Sequence, residues 1–221
     1  MLFRSLHELG AIAIVNSDSQ GMGRIGETIR RTFQLAHVMK AWAGEDEGDD
    51  NARVLRYLAK VTAEPARVHG IEADVGSLRP GRLADLVLWR PAAFGVKPEL
   101  ILKAGAFAWG ALGHGNATVE LAEPVRYGGH WGALGDAAAA LSTTFVSGAA
   151  FEAGIGERLG SRRRFVAVTG TRSVTRGSLV HNTAVLPVEV DPGDGTVTLE
   201  GRVLSVNPVS EVPLNRRLLL A

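Results

Sequence analysis

The alternation of apolar and polar positions divides the chain into a helical first third and a strand-rich remainder. Residues 11–16, Ala-Ile-Ala-Ile-Val-Asn, form a nearly continuous apolar run, the pattern of a strand buried on both faces. The run ends in Ser17-Asp18-Ser19-Gln20-Gly21-Met22-Gly23, which is turn chemistry. Ile25, Ile29, Phe33, Ala36 and Met39 then recur at spacings of three and four, predicting an amphipathic helix over 24–42. Together these make one β/α unit. Residues 44–51 form an acidic, solvated loop. A second helix is expected over 52–61, with Val54, Leu55, Leu58, Ala59 and Val61 inward. Thr62-Ala63-Glu64-Pro65 restarts a short helix that Gly70 ends.

From Val75 the period shortens. Pro80-Gly81 marks a turn before a strand at 86–89, and residues 99–103 and 106–112 flank Ala104-Gly105 as a hairpin. The Ala-rich stretch 133–158 reads as helical in its second half, ending at Gly160. Arg164–Val168 is a short strand, and residues 187–190, 196–199 and 202–206 read as a meander with Gly and Asp at its turns. The fold class is α/β plus β. The turn-rich part after about residue 65 contains its own hairpins and is expected to be the more stable unit, with 1–43 held loosely.

Composition narrows the function. At 221 residues the chain makes one domain or two small ones, with 46% hydrophobic and 21% charged residues. A net charge of +1 excludes a general electrostatic grip on nucleic acid or anionic lipid. The absence of Cys excludes disulfides, thiolate metal sites and a cysteine nucleophile. No apolar run reaches membrane-span length and the N-terminus has no signal-peptide core, so the cytoplasm is the expected location. The 27 glycines point to many tight turns.

Few residues offer chemistry. Asp18 follows an apolar run and opens onto a helix, the address at which barrel enzymes place catalytic groups. The competing role for it is a helix N-cap. The six histidines are isolated, with no His-x-His and no His-Glu-x-x-His. Gly21-x-Gly23-x-x-Gly26 matches a dinucleotide pattern but lacks the return strand and a well-placed acid. The Arg162–Arg164 run reads as a solvated strand entry.

The chain resembles the urease alpha (catalytic) subunit, of the amidohydrolase superfamily. The likeness is carried by Leu6-His7-Glu8-Leu9-Gly10-Ala11-Ile12, by the Ser17–Glu27 segment, by Tyr57-Leu58-Ala59-Lys60-Val61-Thr62 and by His69-Gly70-Ile71. It continues through Gly81–Trp89, Phe94-Gly95-Val96-Lys97-Pro98, Val180-His181-Asn182 and Pro213-Leu214-Asn215-Arg216-Arg217. The Gly81–Leu88 stretch marks the superfamily, whereas Ser-Asp-Ser-Gln and Phe-Gly-Val-Lys-Pro mark urease. The resemblance implies the last β/α unit or units of a metal-dependent (β/α)8 barrel, joined to part of a β-rich composite domain. Residues 1–70 would be the barrel remnant, 71–125 a β-rich composite-domain segment and 126–221 a C-terminal α+β segment.

The resemblance also implies two nickel ions held by His residues, a bridging carbamylated Lys and one Asp, which Asp18 matches. The backbone carbonyl that helps hold urea falls at Gly21, where the family usually has Ala. The His ligands, the Lys and the catalytic flap His belong to a portion preceding Leu6, so none of the six histidines is carried over. Leu112-Gly113-His114-Gly115 departs from the family's Met-Gly-Asp, and Tyr127-Gly128-Gly129-His130-Trp131 departs as well. The implied partners are the remaining alpha-chain portion, other urease subunits and urea. The implied function is urea hydrolysis by a split or truncated alpha chain, active only when completed. The alternative is a non-catalytic remnant that acts as a structural or interaction module. One carboxylate cannot hold two nickel ions, and one barrel strand cannot close a barrel.

Overall fold

A computed structural model describes residues 3–18, 24–44, 49–110, 135–208 and 210–211. The chain divides into two compact units, Met1–Arg67 with Ser173–Asn215, and Val68–Arg172 with Arg216–Ala221. The class is mixed α/β with three small sheets among the described residues.

The first unit begins with α1 (Arg4–Glu8), α2 (Ile25–Ala43), α3 (Asn51–Ala59) and α4 (Ala63–Val68). The long helix starts and stops within one residue of its expected bounds, because its apolar stripe is real: Phe33 and Met39 are buried and Ile29 and Ala36 half-buried. Residues 11–16, expected as a buried strand, are not one. They form an arm outside any sheet, half-buried from Ala11 to Val15. No strand among the described residues pairs with the arm, so its polar backbone groups go elsewhere. Ala11 and Ile12 donate to the Leu6 carbonyl at 2.9 and 3.2 Å, and Val15 donates to the Lys60 carbonyl at 3.1 Å.

The second helix also differs from expectation. Leu55 is 47% exposed, and Val54, Leu58 and Val61 are only half-buried. The fully inward stripe is Arg53, Tyr57, Lys60 and Glu64, spaced four, three and four. Arg53 and Tyr57 share one face of α3, Lys60 stands at its C-terminal end and Glu64 on α4, and ion pairs and hydrogen bonds, described below, make the burial of the three charged side chains tolerable.

The later residues of this unit supply β6 (Val188–Val190), β7 (Val197–Leu199) and β8 (Arg202–Val203), an antiparallel meander as expected. Leu6, Val197 and Leu204 form its buried seam, flanked by Ala11, Ile12, Leu186, Val188 and Leu199. The meander thus packs on α1 and on the root of the arm. Trp42 at the end of α2 donates its indole N–H to the Ser205 carbonyl at 3.2 Å.

The second unit holds an antiparallel sheet of β1 (Leu86–Trp89), β2 (Pro98–Lys103) and β3 (Ala106–Gly110). Its hairpin turns through Ala104 and Gly105 with φ of 49° and 84°, the two positive angles of a tight two-residue turn. The Asp85 carboxylate fastens that turn, accepting from the Ala104 amide at 2.8 Å and from Lys103 Nζ. The stretch 133–158 departs from its helical reading. It contains α5 (Ala137–Ala140), then β4 (Thr143–Val146), α6 (Gly148–Glu152) and α7 (Ile155–Arg158). Thr143-Thr144-Phe145-Val146 is β-branched and aromatic, and it pairs in parallel with β5 (Arg164–Ala167). Gly70 lies against the same region: a Cβ there would meet the Thr169 carbonyl oxygen at 2.2 Å, and its φ is +68°. No helix among the described residues is long and apolar enough to cross a membrane.

Candidate functional site

Asp18 ends the described part of the arm. It is exposed and stands at φ +48°, a left-handed conformation that Asp tolerates better than most side chains. It does not cap the long helix. The N-cap of α2 is Arg24, in extended conformation and with no side-chain cap. Gly21, the expected carbonyl contact, lies outside the described residues, as do Gly23, His114 and His130.

No group of three or more His, Cys, Asp or Glu side chains gathers to hold a metal among the described residues. His7 is half-buried, while His37, His69 and His181 are exposed. These donors therefore do not fit a two-nickel site by themselves. The Arg162–Arg164 run is engaged locally: Arg162 pairs with Asp136, and Arg164 Nη2 lies 2.6 Å from Asp74.

What the structure does build is a set of anchors beneath the arm. Lys60 is fully buried, and its Nζ donates to the Ile12 carbonyl and to Asn182 Oδ1. Arg176 Nη2 donates to the Ala11 carbonyl at 2.6 Å, and its Nη1 to the Asn182 carbonyl at 3.4 Å. Asn182 is fully buried and bonded at every polar group. Its Nδ2 donates to the Arg56 carbonyl at 3.1 Å and to Glu64 Oε1 at 3.2 Å. Glu64 Oε1 also accepts from the His181 and Asn182 amides at 2.9 and 3.1 Å, and Oε2 from the Val180 amide at 3.0 Å.

A second ion-pair group adjoins it. Glu8 Oε1 accepts from Arg53 Nε at 2.9 Å and Arg56 Nη1 at 3.2 Å, and Arg56 also reaches the Glu8 carbonyl at 2.6 Å. Arg53 pairs further with Asp50 at 2.7 Å, and Asp50 with Lys40 at 2.6 Å. Asp50, expected in a solvated loop, is thus tied to α2 and α3. The Lys60 ammonium lies 5.5 Å from the Tyr57 ring centre, within reach of a cation–π contact.

The titration of these groups follows from burial. Burial, and then the Arg56 charge, pulls Lys60 down to about 8, with Glu64 and Glu8 opposing. Burial pushes the Glu64 carboxyl up, but the His181, Val180 and Asn182 donors outweigh it and hold it below the ordinary carboxylate value. Burial and the Glu8 carboxylate push the Tyr57 hydroxyl up. His7 is pulled down to about 4 by burial and by Lys60.

An open cleft of about 370 Å³ separates the arm at Val15 and Asn16 from α2, where Arg24, Glu27, Thr28 and Arg31 line it. The arrangement can present one carboxylate, Asp18, from a backbone held by two cations and one amide side chain. Reading the sequence for apolar periods missed Lys60, Glu64, Arg176 and Asn182. The four-three-four spacing of Arg53, Tyr57, Lys60 and Glu64 was the available signal.

Comparison with known proteins adds an ancestry. The amidohydrolase family profile matches residues 2–108. Urease subunit alpha 2 of Streptomyces coelicolor is 51% identical over 211 residues, 96% of this chain and 38% of that protein. Urease subunit alpha 1 of Streptomyces avermitilis is 50% identical over 211 residues, with the same coverage. The chain therefore spans 38% of the length of these relatives.

Proposed function

We propose that this chain, a homologue of urease alpha subunits over nearly its whole length, is one part of a nickel-dependent assembly that hydrolyses urea. In this reading Asp18 is a nickel ligand and the Gly21 carbonyl contacts an amide of urea. Nickel, when bound, would activate water and polarise the urea carbonyl. The chain's own contribution is positional: the arm offers the Asp18 carboxylate, and the other donors come from another polypeptide portion. Residues 1–70 would descend from the end of a (β/α)8 barrel, 71–125 from the β-rich composite domain and 126–221 from a C-terminal α+β segment. Other urease subunits would be partners, and the cytoplasm the location.

The observation that carries the reading is Asp18 itself, an exposed carboxylate at a left-handed turn that does not cap the helix following it. The test is complementation. The chain alone, given nickel and bicarbonate, should release no ammonia from urea. Once a polypeptide supplying the remaining alpha portion restores turnover, Asp18→Asn should lower it at least about 100-fold, because a neutral amide is the weaker ligand. The fold should survive, since Asn adopts left-handed angles as readily as Asp. Full turnover and full nickel content in Asp18→Asn would remove the ligand role. A stable complex that never turns over would favour a non-catalytic module.

A further inference from the structure

The arm that carries Asp18 has no strand partner among the described residues, yet it is not loose. Three of its backbone groups end on the same two residues. The Ile12 carbonyl accepts from the Lys60 ammonium, the Val15 amide donates to the Lys60 carbonyl, and the Ala11 carbonyl accepts from Arg176. Both cations are in turn fixed to Asn182, Lys60 through its side-chain oxygen and Arg176 through its main-chain oxygen. Asn182 is locked by Glu64 and by the Arg56 carbonyl. At Gly10, the root of the arm, a Cβ would stand 3.6 Å from Asn182 Cα and from the His181 carbonyl oxygen. The arm thus rests on the segment that carries its own anchors. From Val15 to Asp18 there are three residues, at most about 11 Å of chain.

We infer that Lys60 and Arg176, sharing Asn182 as their anchor, are positioning residues that set where the arm presents Asp18. That this position matters to catalysis rests on the reading of Asp18 as a ligand; the positioning itself does not. Strand partners would hold the arm through backbone hydrogen bonds, which most side-chain changes leave intact. Two of the arm's carbonyls are held by side chains instead, so single substitutions can loosen the arm without dissolving the helices below it. Lys60 is the stronger pin, because it is fully buried and grips the arm from both its ammonium and its carbonyl. Arg176 is half-buried and holds only Ala11.

The chain has no cysteine, so Ser17→Cys accepts a nitroxide label at a unique place beside Asp18. His37→Cys, on an exposed position of α2, serves as the reference in a second preparation. With the pins intact, the label at position 17 should give a slow-motion electron paramagnetic resonance spectrum. Lys60→Met should shorten its correlation time by about threefold or more, while the label at position 37 stays unchanged. Arg176→Met should loosen the arm less, and Arg176→Lys should restore it by returning a cation to the Ala11 carbonyl. An arm equally ordered in Lys60→Met would overturn the inference. If Lys60→Met loosens both labels, the unit has unfolded and the Arg176 pair decides: a mobile arm in Arg176→Met that Arg176→Lys restores supports pinning, and no difference overturns it. The two readings fail separately. Retained turnover in Asp18→Asn would remove the ligand role with the label spectra standing, and an arm that stays equally ordered without its pins would remove the positioning role with the ligand role standing.

Discussion

The two units solve the burial problem differently. Among the described residues, every buried hydrophobic side chain except Val96 belongs to the first unit, including Met39, Phe33, Tyr57, Val197 and Leu204. The same unit holds the buried polar side chains: Glu8, Arg30, Arg53, Lys60, Glu64 and Asn182 are all at or below 5% exposure. The second unit keeps its apolar side chains half-covered. Val87 and Leu88 on β1 and Phe107 on β3 are 42%, 48% and 60% exposed, and Leu78 is 83% exposed. The expectation that the part after about residue 65 is the more stable one does not follow these units, because Val197, Leu204 and Asn182 of that part are buried in the first unit. Hairpins and turns supply local order, but sealed apolar area supplies most of the driving force. The first unit has more of that area among the described residues, and a polar network lies beside it.

The sharpest way to break this contrast is Glu64→Ala. The carboxylate accepts from three consecutive amides and from the Asn182 side chain. Removing it leaves those donors without an acceptor, the two of Asn182 buried, worth about 3 kcal/mol. Trp42 is the first unit's tryptophan, whereas Trp89, Trp109 and Trp131 fall in the second. Urea unfolding followed by fluorescence, with Trp42→Phe as the subtraction, should show the first unit's midpoint falling and the second's unmoved. Equal shifts would mean that the units unfold as one.

A matched pair of apolar truncations comes next. Met39→Ala empties a fully buried site and should lower the first unit's stability by about 2–4 kcal/mol. Phe107→Ser removes a larger side chain from a 60% exposed position and should cost the second unit less than about 1 kcal/mol. Denaturant melts of both variants check the ratio. A Phe107→Ser loss as large as that of Met39→Ala would show that the sheet's exposed face carries packing after all.

Much of this architecture was legible in the sequence, and the exceptions share a cause. The stripe Ile29, Phe33, Ala36, Met39 gave α2, Ala104-Gly105 gave the hairpin, and the Gly and Asp clusters gave the meander. Residues 11–16 misread as a strand because an apolar run reports burial, not which backbone partners are available. Leu55 misread as inward because the neighbouring face hides Arg53, Tyr57, Lys60 and Glu64, whose partners Glu8 and Asn182 lie far away in sequence. Thr143–Val146 disappeared into its Ala-rich surroundings because a four-residue parallel strand is defined by β5. At the candidate site, Asp18 was legible as a residue but not as a conformation. Its left-handed angle and its separation from the cap of α2 are matters of backbone path.

The smallest expected effect concerns pH. His7 sits on α1, half-buried, with Nδ1 lacking a hydrogen-bond partner among the described residues. Burial, and then the Lys60 charge, lowers its folded-state value from 6.5 to about 4. The unfolded chain then binds more protons than the folded one between those values. The contribution is therefore fully present above about pH 6.5 and is lost as pH falls through 6.5 toward 4. Lys60 acts with the same sign at higher pH: its folded value of about 8 lies below the ordinary 10.5, so stability rises as pH climbs between them. Water reaching the partly exposed His7 ring limits its acid-side loss to about 1–2 kcal/mol. Urea melts of the Trp42 signal from pH 7 to pH 4.5 measure that loss, and His7→Leu should reduce it by about this amount, leaving the carboxylates to account for what remains. The second unit offers the control, because His7 and Lys60 both belong to the first. An unchanged acid-side slope in His7→Leu would mean that the imidazole is neutral in the folded state for no thermodynamic consequence, and that acid sensitivity resides in Glu64 and its amide donors instead.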